Sequence, residues 1–482
     1  MRCKPCLLAV SVAASLLTAC RQTPPADPRL VSEWMRSFYG TLRVERLSPP
    51  VAARLMGYVT AALYSGLSAN DPESATLESG LNGLPPLPTS QGSGDVDGML
   101  TAIAAERVVV DSLLRDGLPT TRAAQAQLAD SLAAARVALG ISSDTKAKSE
   151  DLGRRIGLAL VAWSRADGFD STRALPAYVP PKGLAYWTND SPVTTYASQS
   201  LSAASEFVAV GNPANVTQSG NAGDRATVLS RPKSPSKTLP AVNMAGLTEP
   251  YWSQLRPFVL KSWSECPVPT PPTYSADSNS EMYKNAVVVQ STRHEIRPEQ
   301  RAIAFFWADN AGESGTPIGH WISIASQMVD EHGLSAEQAA RLMFGMAAAQ
   351  ADAFIAAWGY KFQYALIRPR AYIRRVMEPA WEPLIPTPPF PEYPSAHSVQ
   401  SAAAAEVLSA LVGDSVSFAD STGLAIGTGV RTFHSFRDAA HEAGISRIYG
   451  GIHFPYGNLG GRALGECVGK TVIERLHLAN AN

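Results

Sequence analysis

The chain has 482 residues, enough for about two to four domains or one large helical domain. Charged residues make up 17% of the sequence and apolar residues 45%, which indicates a large buried core with little charged surface. The formal net charge of −1 gives no electrostatic basis for binding nucleic acid, and no basic stripe is present.

The N-terminus has the features of an export signal. A basic start is followed by an apolar run over residues 7–17, which is too short for a transmembrane helix of about 20 residues. The ending LTAC at 17–20 resembles a bacterial lipobox. We therefore predict a lipoprotein signal peptide over residues 1–19, lipidation of Cys20, and a location in the cell envelope, on the periplasmic side or at the outer membrane. An ordinary cleaved signal peptide is the alternative.

The next part of the chain is predicted to be helical. Apolar residues recur at helical spacing over 30–66, 97–116, 119–138 and 147–168. We predict an N-terminal helical region over 27–207. A connecting region rich in Pro, Gly and Ser then covers 208–296.

Helical patterns return from residue 297, and strand-like alternation is scarce. A long helix opens with a capping box, Ser335 with Gln338. We therefore predict an all-α protein with long irregular loops, whose C-terminal helical domain covers 297–482. No later segment is predicted to cross a membrane. The sequence leaves open whether Cys266 and Cys467 form a disulfide or remain two buried thiols.

Three stretches carry the chemistry. In the first, "KFQYALIRP" at 361–369, Lys361 and Arg368 are two helical turns apart on one face. Such a pair is normally a solvated stripe. Here the neighbours are aromatic and aliphatic, so a buried pair of cations would need an anion.

In the second stretch, "EYPSAHS" at 392–398, Ser395, Ala396 and His397 begin a helix directly after a proline-rich segment. A helix N-terminus is a ready anion site, and a histidine there can move a proton. Taken alone, Ser395 could equally be a simple helix cap. The third stretch, "ISRIYGGIHF" at 445–454, supplies Arg447 and His453.

Together the stretches supply three cations, a hydroxyl, a helix N-terminus and two histidines, which are the groups that a tetrahedral oxyanion requires. Their patterns Lys-x6-Arg-Pro, Pro-Ser-x-His and Ser-Arg-x3-Gly-x-His resemble the signature of the vanadium-dependent haloperoxidases and type 2 phosphatidic acid phosphatases. The long N-terminal half is similar to the haloperoxidase branch. It argues against the integral-membrane phosphatases.

The resemblance implies helical bundles of the vanadium chloroperoxidase and acid phosphatase type, with vanadate as cofactor. His453 would bond the vanadium, and His397 would be the acid–base group. The oxygens would be held by Lys361, Arg368, Arg447, the Ser395 hydroxyl and the Ala396 N–H. Lys361 would also polarise hydrogen peroxide, and Trp358 and Phe390 would line the halide pocket.

Two positions depart from the family pattern. The residue between the serine and the histidine is Ala396 where the family usually has glycine. The phosphatase signature has an aspartate four residues after the second histidine, and here that position is Gly457. Unless Asn458, a backbone carbonyl or a distant carboxylate replaces that aspartate, we expect His453 to be held less firmly and to bind vanadate more weakly.

The predicted function is vanadate-dependent oxidation of a halide by hydrogen peroxide, giving a hypohalous acid equivalent that could act on a small organic substrate. One alternative is an acid phosphatase in which His453 is the nucleophile and His397 the general acid. A second is a non-catalytic surface lipoprotein. The sequence does not predict which halide is used or whether the chain dimerises.

Overall fold

The computed structural model describes residues 24–69, 79–90, 95–188 and 248–478. The predicted signal peptide and Cys20 lie outside these residues. Within them the regular structure consists of fourteen α-helices, two short 3-10 helices and one two-stranded antiparallel sheet. The predicted all-α fold is therefore confirmed.

Six helices form the described N-terminal region: α1 (Pro28–Glu45), α2 (Pro49–Leu67), α3 (Gly98–Leu113), α4 (Pro119–Ala138), α5 (Ser143–Arg165) and α6 (Phe169–Arg173). The predicted break falls between α1 and α2. There Arg46 takes a left-handed conformation with φ 52°, and Pro49 stands in the first turn of α2, where its missing N–H costs nothing.

Eight helices follow: α7 (Glu281–His294), α8 (Pro298–Phe306), α9 (Thr316–Glu331), α10 (Ala336–Tyr364), α11 (Pro369–Val376), α12 (Ala396–Leu411), α13 (Phe436–Tyr449) and α14 (Pro455–Arg475). Between α12 and α13, β1 (Phe418–Asp420) pairs with β2 (Arg431–Phe433). Helix α7 lies inside the predicted connecting region. It forms there because the Ser280 side chain caps it by accepting from the Tyr283 N–H.

Helix α10 lies at the centre of the molecule. It packs against α2 from the N-terminal region and against α12 and α14 from the C-terminal domain. One hydrophobic cluster extends from Val31 to Leu478, so both regions share a core. Among the described helices, α10 alone is long and apolar enough to cross a membrane, and its most apolar stretch is wholly buried by the rest of the protein.

Two buried links hold the segment around residues 258–266 against α10 and α14. The Asp352 carboxylate, midway along α10, accepts from the backbone N–H groups of residues 258–260 at 2.6–2.8 Å. Burial raises the pKa of Asp352 to about 6, although these three N–H groups act in the opposite direction. Cys266 forms a disulfide with Cys467 on α14, which answers the question that the sequence left open.

Helices α12 and α14 approach each other closely. At Gly465 a Cβ atom would lie 2.2 Å from the Val399 carbonyl oxygen, so no larger residue fits. This contact places the N-terminus of α12 beside the start of α14, where the Ser395 N–H donates to the Gly457 carbonyl at 3.0 Å. The packing thereby brings the second and third sequence stretches together.

Candidate active site

The predicted site residues come from five places in the fold that converge on His453. Lys361 lies in the last turn of α10, Arg368 caps α11, Ser395, Ala396 and His397 begin α12, Arg447 lies in the last turn of α13, and His453 lies in the turn before α14. All are buried except His397, which is partly exposed. Lys361, Arg368, Arg447 and His397 all lie close enough to His453 to lower its pKa electrostatically.

The proline-rich segment before α12 positions two of the cations through its backbone. Lys361 Nζ donates to the carbonyls of Pro391 and Glu392 at 2.9 and 2.8 Å. Arg368 Nε donates to the Phe390 carbonyl at 2.8 Å, and its Nη1 donates to Ile452 at 2.9 Å. An ammonium has three N–H groups, so Lys361 has a further donor that an anion can use.

Phe390 and Trp358 form an aromatic wall beside these cations. Their ring centroids are 5.1 Å apart. The Phe390 ring lies 5.1 Å from Lys361 Nζ and 4.9 Å from the Arg368 guanidinium carbon, distances at which cation–π attraction operates. Trp358 is fixed because its indole N–H donates to the Thr248 carbonyl at 3.0 Å.

His453 is held in one orientation by the buried Glu392. Its Nδ1 lies 2.9 Å from Glu392 Oε1, and its Nε2 lies 3.1 Å from Arg368 Nη1. A guanidinium can only donate, so Nε2 carries the lone pair and Nδ1 carries the hydrogen. Burial, together with Arg368, Lys361 and Arg447, holds the pKa of His453 well below its ordinary value. His453 is therefore a neutral imidazole whose Nε2 can bind an electrophile.

Glu392 occupies the place that the missing aspartate would take. A Cβ atom on Gly457 would lie 2.1 Å from Glu392 Oε1, so position 457 is glycine because the glutamate fills that space. Asn458 is engaged elsewhere, since it accepts from the Ser398 hydroxyl and donates to the Gly444 carbonyl. Among the replacements considered from the sequence, the distant carboxylate is the one that the structure contains.

His397 faces a second buried carboxylate. Its Nε2 lies 3.5 Å from Asp309 Oδ2, which is longer than a strong hydrogen bond. Burial and the charge of Arg447 lower the pKa of His397 to about 4, against the opposing effect of Asp309. His397 is neutral in this state and can accept a proton.

Ser395 caps α12. Its hydroxyl accepts from the Ser398 N–H at 3.5 Å and lies 3.0 Å from the Ser398 hydroxyl. Ala396 does not have a positive φ, so the alanine in place of the usual glycine is not strained. The first mild departure from the family pattern therefore has no backbone cost.

Buried positive charge is in excess at the site. Burial raises the pKa of Glu392 to about 7, although Lys361, Arg368 and the Phe454 N–H oppose this. Burial and the neighbouring Arg368 hold the pKa of Lys361 well below its usual value. Burying cations without an anion costs free energy. A tetrahedral oxyanion would supply the missing negative charge.

Sequence reasoning missed the two carboxylates. Glu392 had a signal, because a lone carboxylate directly before the Tyr-Pro-Ser-Ala-His run has no helix face or solvent stripe to explain it. Asp309 had none, because it lies in the loop after α8, 88 positions before His397 in the sequence. It reaches the histidine only through the packing of the folded chain.

Fold and site together define an α-helical protein in which buried cationic side chains surround one neutral histidine. Residues 341–480 match the family described as the VCPO second helical-bundle domain. None of the curated proteins matches the sequence significantly.

Several solved structures share the fold over nearly the whole chain. One is the crystal structure of the first bacterial vanadium-dependent iodoperoxidase, with a TM-score of 0.78 and 27% identity, covering 96% of this chain and 100% of that one. A holo-type bacterial vanadium-dependent chloroperoxidase gives a TM-score of 0.63 at 16% identity, covering 91% of this chain and 94% of that one. Its apo-type counterpart gives a TM-score of 0.59 at 15% identity, covering 89% of this chain and 94% of that one. The resemblance to vanadium-dependent haloperoxidases is therefore confirmed.

Proposed function

We propose that this chain is a vanadate-dependent haloperoxidase that oxidises a halide with hydrogen peroxide to a hypohalous acid equivalent. The observation that carries the proposal is His453. Its Nδ1 is held by Glu392, while its Nε2 lone pair faces Arg368 among the buried cations. The iodoperoxidase likeness, which covers 96% of the chain, supports the same reaction.

The residues present fit vanadate by the chemistry of their donors. His453 Nε2 would bond the vanadium, and Lys361, Arg368, Arg447, the Ser395 hydroxyl and the Ala396 N–H would hold its oxygens. Bound vanadate would act as a Lewis acid that activates hydrogen peroxide towards attack by the halide. The anion would also balance the excess buried positive charge.

The remaining chemistry belongs to the chain's own side chains. His397 would take up and return a proton during the reaction, with Asp309 stabilising its charged form. Lys361 would donate a hydrogen bond to the peroxide. The hydrogen bonds from its Nζ to the carbonyls of Pro391 and Glu392 support this role, because they restrict where the ammonium can lie. Phe390 and Trp358 would exclude water and line the halide position.

The test measures iodide- and bromide-dependent oxidation by hydrogen peroxide, with and without orthovanadate, on protein produced without residues 1–20. Aryl phosphate hydrolysis by the vanadate-free protein is measured in parallel. Halide oxidation that requires vanadate is the expected result. Phosphate hydrolysis that vanadate only inhibits, with no halide oxidation, would overturn the proposal in favour of the acid phosphatase.

Neither alternative is favoured by the likenesses. The compared proteins are peroxidases. A non-catalytic lipoprotein would have no reason to keep the complete set of buried cations and histidines, because burying them costs stability. A chain without a working site would retain no vanadium after loading and dialysis. Elemental analysis of the dialysed protein therefore separates this alternative from both enzymes.

We also propose that the chain is exported and anchored through lipid on Cys20. The Cys266–Cys467 disulfide supports export, because disulfides persist in oxidising compartments. The test feeds cells an alkyne fatty acid and compares the wild type with Cys20→Ser. Labelling and membrane association of the wild type alone are expected. Equal labelling of both would contradict the anchor.

A further inference from the structure

A second buried histidine, His320 on α9, lies one carboxylate away from His397. Its Nδ1 lies 2.8 Å from Asp309 Oδ1, and its Nε2 lies 2.8 Å from Asp420 Oδ2. The His320 side chain is 2% exposed, and those of the two aspartates are 1% and 0% exposed. Asp420, His320 and Asp309 are therefore buried and linked at hydrogen-bond distance, and the partly exposed His397 faces the end of this row at 3.5 Å. We call it the aspartate–histidine row.

The geometry sets the protonation of His320. A neutral imidazole has one N–H, whereas two carboxylates at hydrogen-bond distance both require a donor. His320 is therefore an imidazolium between two anions. The Trp307 ring stacks on it with centroids 4.2 Å apart and planes at 13°, and Phe306 meets it edge-on. These rings fix the imidazolium in place.

The far end of the row is fixed as well. Asp420 lies in β1, and its Oδ1 accepts from the Thr422 N–H at 2.9 Å. Asp309, by contrast, lies in the loop between α8 and α9 with a left-handed φ of 49°, which is unusual for a residue other than glycine. Ser314 is 3.4 Å away and contacts the same oxygen as His320. His320 is thus the main link that aims Asp309.

We infer that His320 and Asp420 are positioning residues for His397, acting through Asp309. The imidazolium occupies Asp309 Oδ1 and turns Oδ2 towards His397 Nε2. At 3.5 Å, His397 Nε2 faces Oδ2 without a formed hydrogen bond. The facing carboxylate favours a hydrogen on Nε2, which leaves Nδ1 as the basic nitrogen of His397, so the row favours one tautomer. It also keeps Asp309 negatively charged, so the charge that forms on His397 meets a fixed anion. The kinetic part of this inference rests on the proposed function.

The experiment uses His320→Gln and Asp420→Asn, with His294→Gln as a matched control. His294 also lies 2.8 Å from a carboxylate, that of Glu378, but its side chain is 54% exposed. The expected fall in kcat for His320→Gln is about 10- to 100-fold. Vanadate affinity should change less than about threefold, because the cations that would hold it are untouched. The control should change neither.

A double-mutant cycle separates positioning from a general structural role. In a His397→Ala background, His320→Gln should lower residual turnover no further, because the row then has nothing to position. An equal fall in both backgrounds would overturn the inference. Asp420→Asn serves if His320→Gln does not fold, because it keeps the shape and removes the charge.

A readout that needs no activity keeps this inference separate from the proposed function. The chain has 8 histidines, so 15N-histidine spectra of the vanadate-free protein are tractable. The wild type should show His397 as the Nε2–H tautomer, and His320→Gln should show a mixture. An unchanged tautomer would overturn the inference even in an active enzyme. If the wild type lacks haloperoxidase activity, the spectrum still tests whether His320 positions His397.

Discussion

The two histidines of the site each face a buried carboxylate, but the pKa values of the two carboxylates are shifted in opposite directions. Glu392 lies 2.9 Å from His453, and burial raises its pKa to about 7. Asp309 lies 3.5 Å from His397. Although burial acts to raise its pKa, the charge and N–H of His320 hold the pKa of Asp309 below its usual range.

The difference follows from what each histidine has to do. His453 must remain neutral and stay in one orientation. A short hydrogen bond to a carboxyl group whose pKa is raised to about 7 is sufficient for this. His397 must gain and lose a proton, so its partner must remain an anion throughout. Cations act on both carboxylates, but His320 acts on Asp309 through a hydrogen bond as well as through its charge, whereas the charges of Lys361 and Arg368 only partly offset the burial of Glu392.

The largest expected effect on vanadate binding is that of His453→Ala. Vanadate affinity should fall by more than about 100-fold, because loss of outer partners alone typically costs about 10- to 100-fold. Equilibrium dialysis with vanadium analysis measures it. His332→Ala, at an exposed histidine, is the control. Unchanged vanadate retention in the His453 variant would contradict the assignment of His453 as the vanadium ligand and His397 as the acid–base group.

His397→Ala should have the complementary effect. Turnover should fall by about 100- to 10,000-fold through loss of general acid–base catalysis, while most vanadate binding remains. The measurement pairs kcat with the dialysis experiment on the same samples. A parallel loss of binding and turnover would mean that His397 holds the anion rather than moving a proton.

Glu392 and Gly457 form an exchangeable pair. Glu392→Ala should lower vanadate affinity by about 10- to 100-fold, because His453 loses its orienting partner. Gly457→Asp alone should lower stability, since its Cβ would lie 2.1 Å from Glu392 Oε1. The double variant should recover much of the affinity, because the new aspartate can reach the space that the glutamate leaves.

Affinity in the double variant at or below that of Glu392→Ala would show that the two carboxylates are not equivalent. The thermal midpoint of all three variants serves as the control for folding. Gly457 does not have a positive φ, so the backbone at that position accepts a side chain.

The last expected effect is on the pH dependence of the free energy of unfolding. Burial acts to lower the pKa of His320, but Asp309 and Asp420 raise it from 6.5 to about 10. A raised pKa in the folded state contributes stability that is complete below pH 6.5 and is lost as pH rises towards 10. The stability difference between wild type and His320→Gln should therefore shrink over that window, by at most about 1.4 kcal/mol per pH unit. Denaturant unfolding at four pH values measures it, and a constant difference would contradict a charged His320.

The sequence predicted the parts of the site that depend on local spacing. Ser395 with His397 opens a helix as predicted. The prediction that Lys361 and Arg368 share one helix face is wrong, because α10 ends at Tyr364 with Ala365 in a left-handed conformation, and Arg368 caps the next helix, α11. The structure places these residues together. Their individual roles stay predictions until the variants are measured.

The rest depends on packing between distant segments. His320 meets Asp420 100 positions later, and His453 meets Glu392 61 positions earlier. Nothing in the local pattern of either partner specifies these contacts. For the same reason the sequence divided the chain at residue 297, whereas α2 and α10 share one hydrophobic core across that division.

Asp352 bears on the export that we propose. An exported chain passes through the membrane unfolded, and α10 has the length and composition of a segment that could remain there. A carboxylate at the centre of such a segment opposes lateral insertion by about 2.5–3.5 kcal/mol on translocation scales. In the export that we propose, the carboxylate that orders residues 258–260 in the folded protein would also favour complete passage of α10 across the bilayer. Asp352→Leu would remove both effects at once.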